Sequence, residues 1–115
     1  MLRQKYVPKK TIKWSSVAEA DLNKIIDYFL NKDEISIAEN TYAGIQETLK
    51  RLENFPQSGR IIPELEEFNI FMYREIIYKR WRVLYKVQGN DIYILGVIDG
   101  RRNIEDILLE RMVRD

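Results

Sequence analysis

Residues 72–99 read MYREIIYKRWRVLYKVQGNDIYILGVID, and the interpretation of this stretch decides the fold. β-Branched and aromatic side chains dominate it. Two short breaks, Lys79-Arg80 and Gly89-Asn90, divide it into three runs: Met72–Tyr78, Trp81–Gln88 and Ile92–Asp99. Runs of this length and composition, separated by two-residue turns, are strands joined as antiparallel hairpins. The stretch therefore predicts a three-stranded meander. Alternation along the middle run sends Arg82 to the face opposite Trp81 and Val83, so its charge is expected to leave the core.

Upstream the apolar period changes from two to between three and four. Ser16-x-x-Glu19 reads as a capping box that opens a helix, along which Ala18, Leu22, Ile25, Ile26 and Phe29 form one apolar face. Glu19, Asn23, Lys24 and Asp27 occupy the wet side. Asn31-Lys32-Asp33 interrupts the pattern, and Ser36-x-x-Glu39 offers a second box before the stripe Ala38, Tyr42, Ile45, Leu49 and Leu52. Pro56 stops this helix, because proline restricts the residue before it and cannot continue the hydrogen-bond ladder. So short a connection makes the two helices antiparallel neighbours. Truncating a buried stripe residue, as in Leu49→Ala, is expected to cost roughly 2–5 kcal/mol.

Thr11–Trp14 alternates polar and apolar residues ahead of the first helix and reads as a strand. Pro56, Gly59 and Pro63 mark an irregular crossing, and the acidic residues 64–67 extend it without a clear period. Beyond Gly100, the residues Ile104, Ile107, Leu108 and Met112 suggest a short terminal helix or a tail that docks back. The expected fold class is α+β: an N-terminal strand, an antiparallel helical hairpin, an antiparallel three-stranded meander and a short C-terminal helix. A basic arm over residues 1–10 precedes a single domain over residues 11–115.

The chain has 115 residues and 45% apolar content, enough for one hydrophobic core. Its 19 Lys and Arg nearly cancel 18 Asp and Glu, so it is no polycation that would coat nucleic acid indiscriminately. The charge is unevenly spread. Residues 1–13 carry five bases and no acid, residues 14–71 five bases against eleven acids, and residues 72–115 nine bases against seven acids. Met1–Lys13 lacks the apolar core of a signal peptide, and no run approaches the ~20 apolar residues that span a bilayer, so a cytoplasmic location without membrane contact is expected.

Cysteine and histidine are absent. That excludes a Ser-His or Cys-His nucleophile, a His-ligated zinc site and a redox C-x-x-C pair, and no glycine-rich phosphate cradle is present. No metal and no cofactor are expected. The pairs Glu66/Glu67 and Glu105/Asp106 read as solvated charges rather than as an acid and base. What remains is arginine near aromatics. Arg60, Arg74, Arg82, Arg101 and Arg102 could gather at one end of a meander, where planar guanidinium groups would suit phosphate or carboxylate. The alternative is that each pairs with Glu64, Glu75, Asp99, Glu105 or Asp106. Tyr85 and Trp81 read first as packing residues, although either could present a ring to a partner.

Taken in order, several pieces resemble the RelE/ParE superfamily of toxin–antitoxin toxins, and its ParE branch most. They are Thr11–Trp14, the pattern Ala18-x-x-Asp21-Leu22-x-x-Ile25-x-x-Tyr28, Pro56-Gln57-Ser58-Gly59-Arg60 with Pro63-Glu64 behind it, Arg74-Glu75-Ile76, Trp81-Arg82-Val83-Leu84-Tyr85, and Asp99-Gly100-Arg101-Arg102. The resemblance covers nearly the whole chain, roughly Thr11 to Arg111. The resemblance implies the fold derived above and a cognate antitoxin with which the chain forms a hetero-oligomer. It also implies one of two targets: DNA gyrase in the ParE branch, or ribosome-bound mRNA, which the RelE branch cleaves.

Arg82 and Arg102 match arginines found in both branches, and with Arg74 they would be the catalytic set of a ribonuclease. Paired lysines common in that branch are missing, however, and residues 103–115 hold neither Tyr nor His. The gyrase reading is therefore preferred, with an inactive partner-binding member as a further alternative. Asp99 stands where many ParE-like chains have histidine. The expected target-binding residues are Arg60, Arg74, Arg82, Tyr85, Arg101 and Arg102. The expected antitoxin-binding residues are Leu22, Ile26, Tyr42, Ile45 and Leu49.

Overall fold

The computed structural model describes residues 8–114, with side chains as far as Arg111. Most of the expected basic arm and the side chain of Met112 lie outside them. The elements in chain order are β1 (Thr11–Trp14), α1 (Ser16–Asn31), α2 (Ile35–Asn54), β2 (Arg60–Ile61), α3 (Pro63–Glu66), β3 (Tyr73–Tyr78), β4 (Trp81–Gln88), β5 (Asp91–Asp99) and α4 (Ile104–Arg114). They form the expected α+β fold. The sheet has five strands in the order β1-β5-β4-β3-β2. The meander is present, with positive φ at Lys79 (54°) and Gly89 (61°) turning its two hairpins. β1 joins β5 in parallel, and β2 adds a short antiparallel edge to β3.

Both helix starts differ from the expected capping boxes. Ser15, in extended conformation, caps α1 by accepting from the Ala18 amide at 3.0 Å, so Ser16 is already helical. α2 begins after Glu34 with no side-chain cap. The apolar stripe of α2 also turns by one position. Ala38, Thr41, Ile45, Leu49 and Leu52 are buried, whereas Tyr42 is 49% exposed. The Tyr78 ring lies against the bare backbone of Gly44, where a Cβ would come within 2.1 Å of it. That close approach of helix to sheet favours the small Thr41 over a phenol.

α1 and α2 cover one face of the sheet, where Leu22, Ile45, Leu49 and Leu52 meet Ile76, Trp81, Val83, Tyr85, Ile92, Ile94 and Val97. The other face is not open. Ile62, Leu65, Leu84, Ile98, Ile104 and Leu108 form a second apolar cluster there, brought by α3 and α4. As a result β4 is buried on both sides from Trp81 to Tyr85. A bulge in β5 reconciles the two clusters. Leu84 pairs with Gly96 and Tyr85 with Ile94, so Leu95 is the extra residue, and it lets Ile94 and Val97 face the same helices.

Candidate functional site

The bulge leaves backbone groups without ladder partners, and two side chains from distant helices meet them. Asp21 Oδ2 on α1 accepts from the Val97 amide at 3.0 Å, and Arg111 on α4 donates to the Leu95 carbonyl at 3.2 Å. Arg111 also forks onto Asp21 at 2.8 and 2.9 Å. Sequence reasoning missed this pair as a functional unit. Its one signal was the position of Asp21 on a helix face otherwise apolar, between Ala18 and Leu22.

The six residues expected to bind a target fall in three separate environments. Arg74 and Tyr85 pair across β3 and β4 and together hold the turn before β2. The Tyr85 hydroxyl donates to the Pro56 carbonyl at 2.8 Å and accepts from the Gly59 amide at 3.0 Å, while Arg74 donates to the Gly59 carbonyl at 2.8 Å. Tyr85 is fully buried, and burial pushes its hydroxyl pKa above the ordinary value. It cannot present a ring to a target, so the expectation of target binding fails for this residue. Gly59 is required here because a Cβ would sit 2.4 Å from the Glu75 carbonyl oxygen and 2.6 Å from the Tyr85 hydroxyl.

Arg60 and Arg82 occupy the opposite face. Arg82 Nε donates to Glu75 at 2.5 Å and its terminal nitrogens fork onto Glu64 at 2.8 and 2.9 Å. Arg60 Nε donates to the second oxygen of Glu75 at 2.6 Å. Arg82 does lie opposite Trp81 and Val83, as alternation requires, but its charge does not leave the core. Its side chain is 10% exposed and that of Glu75 fully buried, because α3 and α4 cover the face that a bare meander would leave wet. Glu64 first, then Glu75, holds the Arg82 pKa above the ordinary arginine value, and the Arg82 hydrogen bond holds Glu64 below the ordinary glutamate value. These two arginines are neutralised by two carboxylates. They stabilise the fold and leave Arg82 no free donor face for a phosphate.

Arg101 and Arg102 lie at the far end of β5, in the turn before α4. Asp99 accepts from Arg101 Nη2 at 3.0 Å and lies 3.5 Å from Arg80 Nε. The Asp99 pKa is held down first by the Arg101 side chain. Arg102 is exposed, and among the described residues its side chain has no carboxylate partner. Gly100 joins this corner to Arg82, since a Cβ there would lie 3.6 Å from the Arg82 stem. The expected convergence is thus partial. Arg82 neighbours the corner, whereas Arg74 faces away on the hairpin side.

The residues expected to bind an antitoxin are corrected likewise. Leu22, Ile45 and Leu49 are 5%, 0% and 1% exposed, committed to the core between hairpin and sheet. Ile26 is half-buried against that core and Tyr42 is accessible. A groove of about 340 Å³ lies instead beside the N-terminal half of α1, between Lys24, Leu84, Lys86, Leu95 and Leu108. Among the described residues no group of acidic side chains could hold a metal, and no helix is long and apolar enough to cross a membrane.

The family model described as "ParE toxin of type II toxin-antitoxin system, parDE" matches residues 12–104. Toxin ParE3 of Caulobacter vibrioides is 30% identical over 88 residues, which are 73% of this chain and 80% of that protein. The solved structure described as "Chromosomal ParDE TA system from P. aeruginosa" has a TM-score of 0.64 at 22% identity, covering 79% of this chain and 96% of the other. At that identity the likeness concerns the fold.

Proposed function

Because the chain belongs to the ParE toxin family of type II toxin–antitoxin systems, we propose that it arrests growth by binding DNA gyrase and not by cutting RNA. The observation that carries this choice is the state of Arg82. A ribonuclease needs a charge stabiliser beside the attacking hydroxyl and a proton acceptor within reach. Here the arginine that would stabilise charge is held by Glu64 and Glu75, and the Tyr85 hydroxyl, on the opposite face of the sheet, is spent on the Pro56–Gly59 turn. Inhibition by binding needs no such pair. The exposed cations Arg101 and Arg102 supply a contact surface instead.

The family also supplies an antitoxin partner. We place its neutralising segment in the groove beside α1, where Lys24 and Lys86 with the accessible Val17 and the half-buried Leu95 suit an acidic amphipathic helix. Ile26 and Tyr42 lie on the hairpin beyond it.

The deciding experiment is DNA supercoiling by purified gyrase with and without the chain. Inhibition at near-stoichiometric toxin, relieved by the antitoxin, is expected. Unimpaired supercoiling at large excess, together with mRNA cleavage in a translating extract, would replace this reading with the ribonuclease one.

A further inference from the structure

The β3–β4 turn and the β5–α4 turn lie side by side, joined by the Gly100 amide donating to the Arg80 carbonyl at 2.8 Å. They bring Lys79, Arg80, Arg101 and Arg102 to one corner of the sheet, all exposed, with Asp99 the carboxylate that pairs with Arg80 and Arg101. Lys79 stands 5.5 Å from the centre of the Tyr78 ring and has no ion pair among the described residues. The Arg80 guanidinium carbon lies 4.5 Å from the centre of the Trp81 ring. Glu105 and Asp106 follow in the first turn of α4, yet neither pairs with Arg101 or Arg102. Two of the four cations thus pair with Asp99, while Lys79 and Arg102 have no ion pair among the described residues.

We infer that this corner binds the phosphodiester backbone of double-stranded DNA directly. The inference deepens the gyrase reading, whose enzyme works on DNA, and rests on it for its cellular consequence, but the binding itself needs no gyrase. The chemistry favours phosphates over an acidic protein segment. A protein interface concentrates its energy in buried apolar anchors and their pockets. The residues beside these cations are Asp99, Gly100 and Asn103, and the Trp81 ring beneath Arg80 is itself buried. Charges carried on two turns that backbone pairing holds side by side suit the closely spaced charges of a phosphodiester backbone.

The test is fluorescence anisotropy of a labelled DNA duplex titrated with the purified full chain, gyrase absent. With about three phosphates neutralised, raising salt from about 50 to about 200 mM should weaken binding about 40-fold. Arg102→Glu and Lys79→Glu should each lower affinity roughly tenfold at low salt and reduce the salt slope by about one. Lys50→Glu, on the exposed side of α2, changes net charge equally and should leave affinity near that of the wild type. Thermal melts of the variants identify any loss of fold. Failure of the wild-type chain to bind duplex at low salt overturns the inference, as does an equal loss in Lys50→Glu. Displacement of the duplex by poly-glutamate at equal charge would assign the corner to an acidic protein. None of these results alters supercoiling inhibition, so the two readings can fail separately.

Discussion

Replacing Glu75 by glutamine removes one charge from the interior and nothing else of size, so its effect can be worked from the contacts. In the native chain each carboxylate oxygen serves a different arginine, Arg82 at 2.5 Å and Arg60 at 2.6 Å, with the Glu75 side chain fully buried. Glutamine offers a single acceptor oxygen, and its amide nitrogen would point at a second donor. Breaking a buried pair by removing one partner costs about 3–5 kcal/mol. Two features lower the figure. Arg60 is 60% exposed and can turn to water, and Arg82 keeps both bonds to Glu64. The expected loss is about 2–4 kcal/mol. With a urea slope of about 1.5–2 kcal/mol per molar, the unfolding midpoint should fall by roughly 1–2 M at unchanged slope. A double variant, Glu75→Leu with Arg82→Met, should lose less than the single one, because apolar replacement of both buried members leaves only Glu64 and Arg60, whose side chains reach solvent. A single variant within about 0.5 kcal/mol of wild type, or a double variant worse than the single, would refute this account of the network.

Gly59→Ala forces a methyl against the Glu75 carbonyl at 2.4 Å, a backbone atom that cannot swing aside; a loss of about 1–3 kcal/mol is expected in a thermal melt. Arg111→Ala removes the fork on Asp21 while Asp21 keeps the Val97 amide; faster amide exchange confined to α4, with the strands unchanged, is the expected result. Glu64 has a folded pKa below its unfolded value, so its contribution is fully present above the ordinary 4.5 and is lost as pH falls through the folded value. Glu64→Gln should therefore lower stability at neutral pH and flatten the acid limb of a stability–pH curve below that point.

The parts of this molecule legible in the sequence are those whose pattern is local. Trp81–Gln88 was bounded to the residue, and the hairpin turns followed from Lys79-Arg80 and Gly89-Asn90, because turn chemistry and two-residue alternation lie within a few positions of each other. Arg60–Ile61 is too short to carry any period, and Pro63–Glu66 is a single helical turn among acids, so neither announced itself. That omission propagated. Alternation states which face Arg82 takes but not what covers that face, and the cover comes from the short α3 and from α4. For the same reason pairing with Glu64 and Glu75 won over a solvent-facing arginine cluster. Thr41 and Tyr42 both satisfy a helical repeat from Ala38 to Ile45, and only the contact of Gly44 with Tyr78 separates them. Asp21 and Arg111 are joined by a bulge in a third element, a relation no local window contains.

The parallel pairing of β1 with β5 sets a schedule for synthesis. Thr11 lies beside Asp91 and Trp14 beside Ile94, so the first strand made must wait for the last. At about 5–20 residues per second the wait is several seconds, during which the sheet is open at one edge and the hairpin has no finished floor to rest on. Surfaces built from the completed sheet, the cationic corner at Asp99 among them, do not exist on the growing chain. On the proposed reading, the surface that meets gyrase and the groove that takes the antitoxin are both completed only when that final strand is in place.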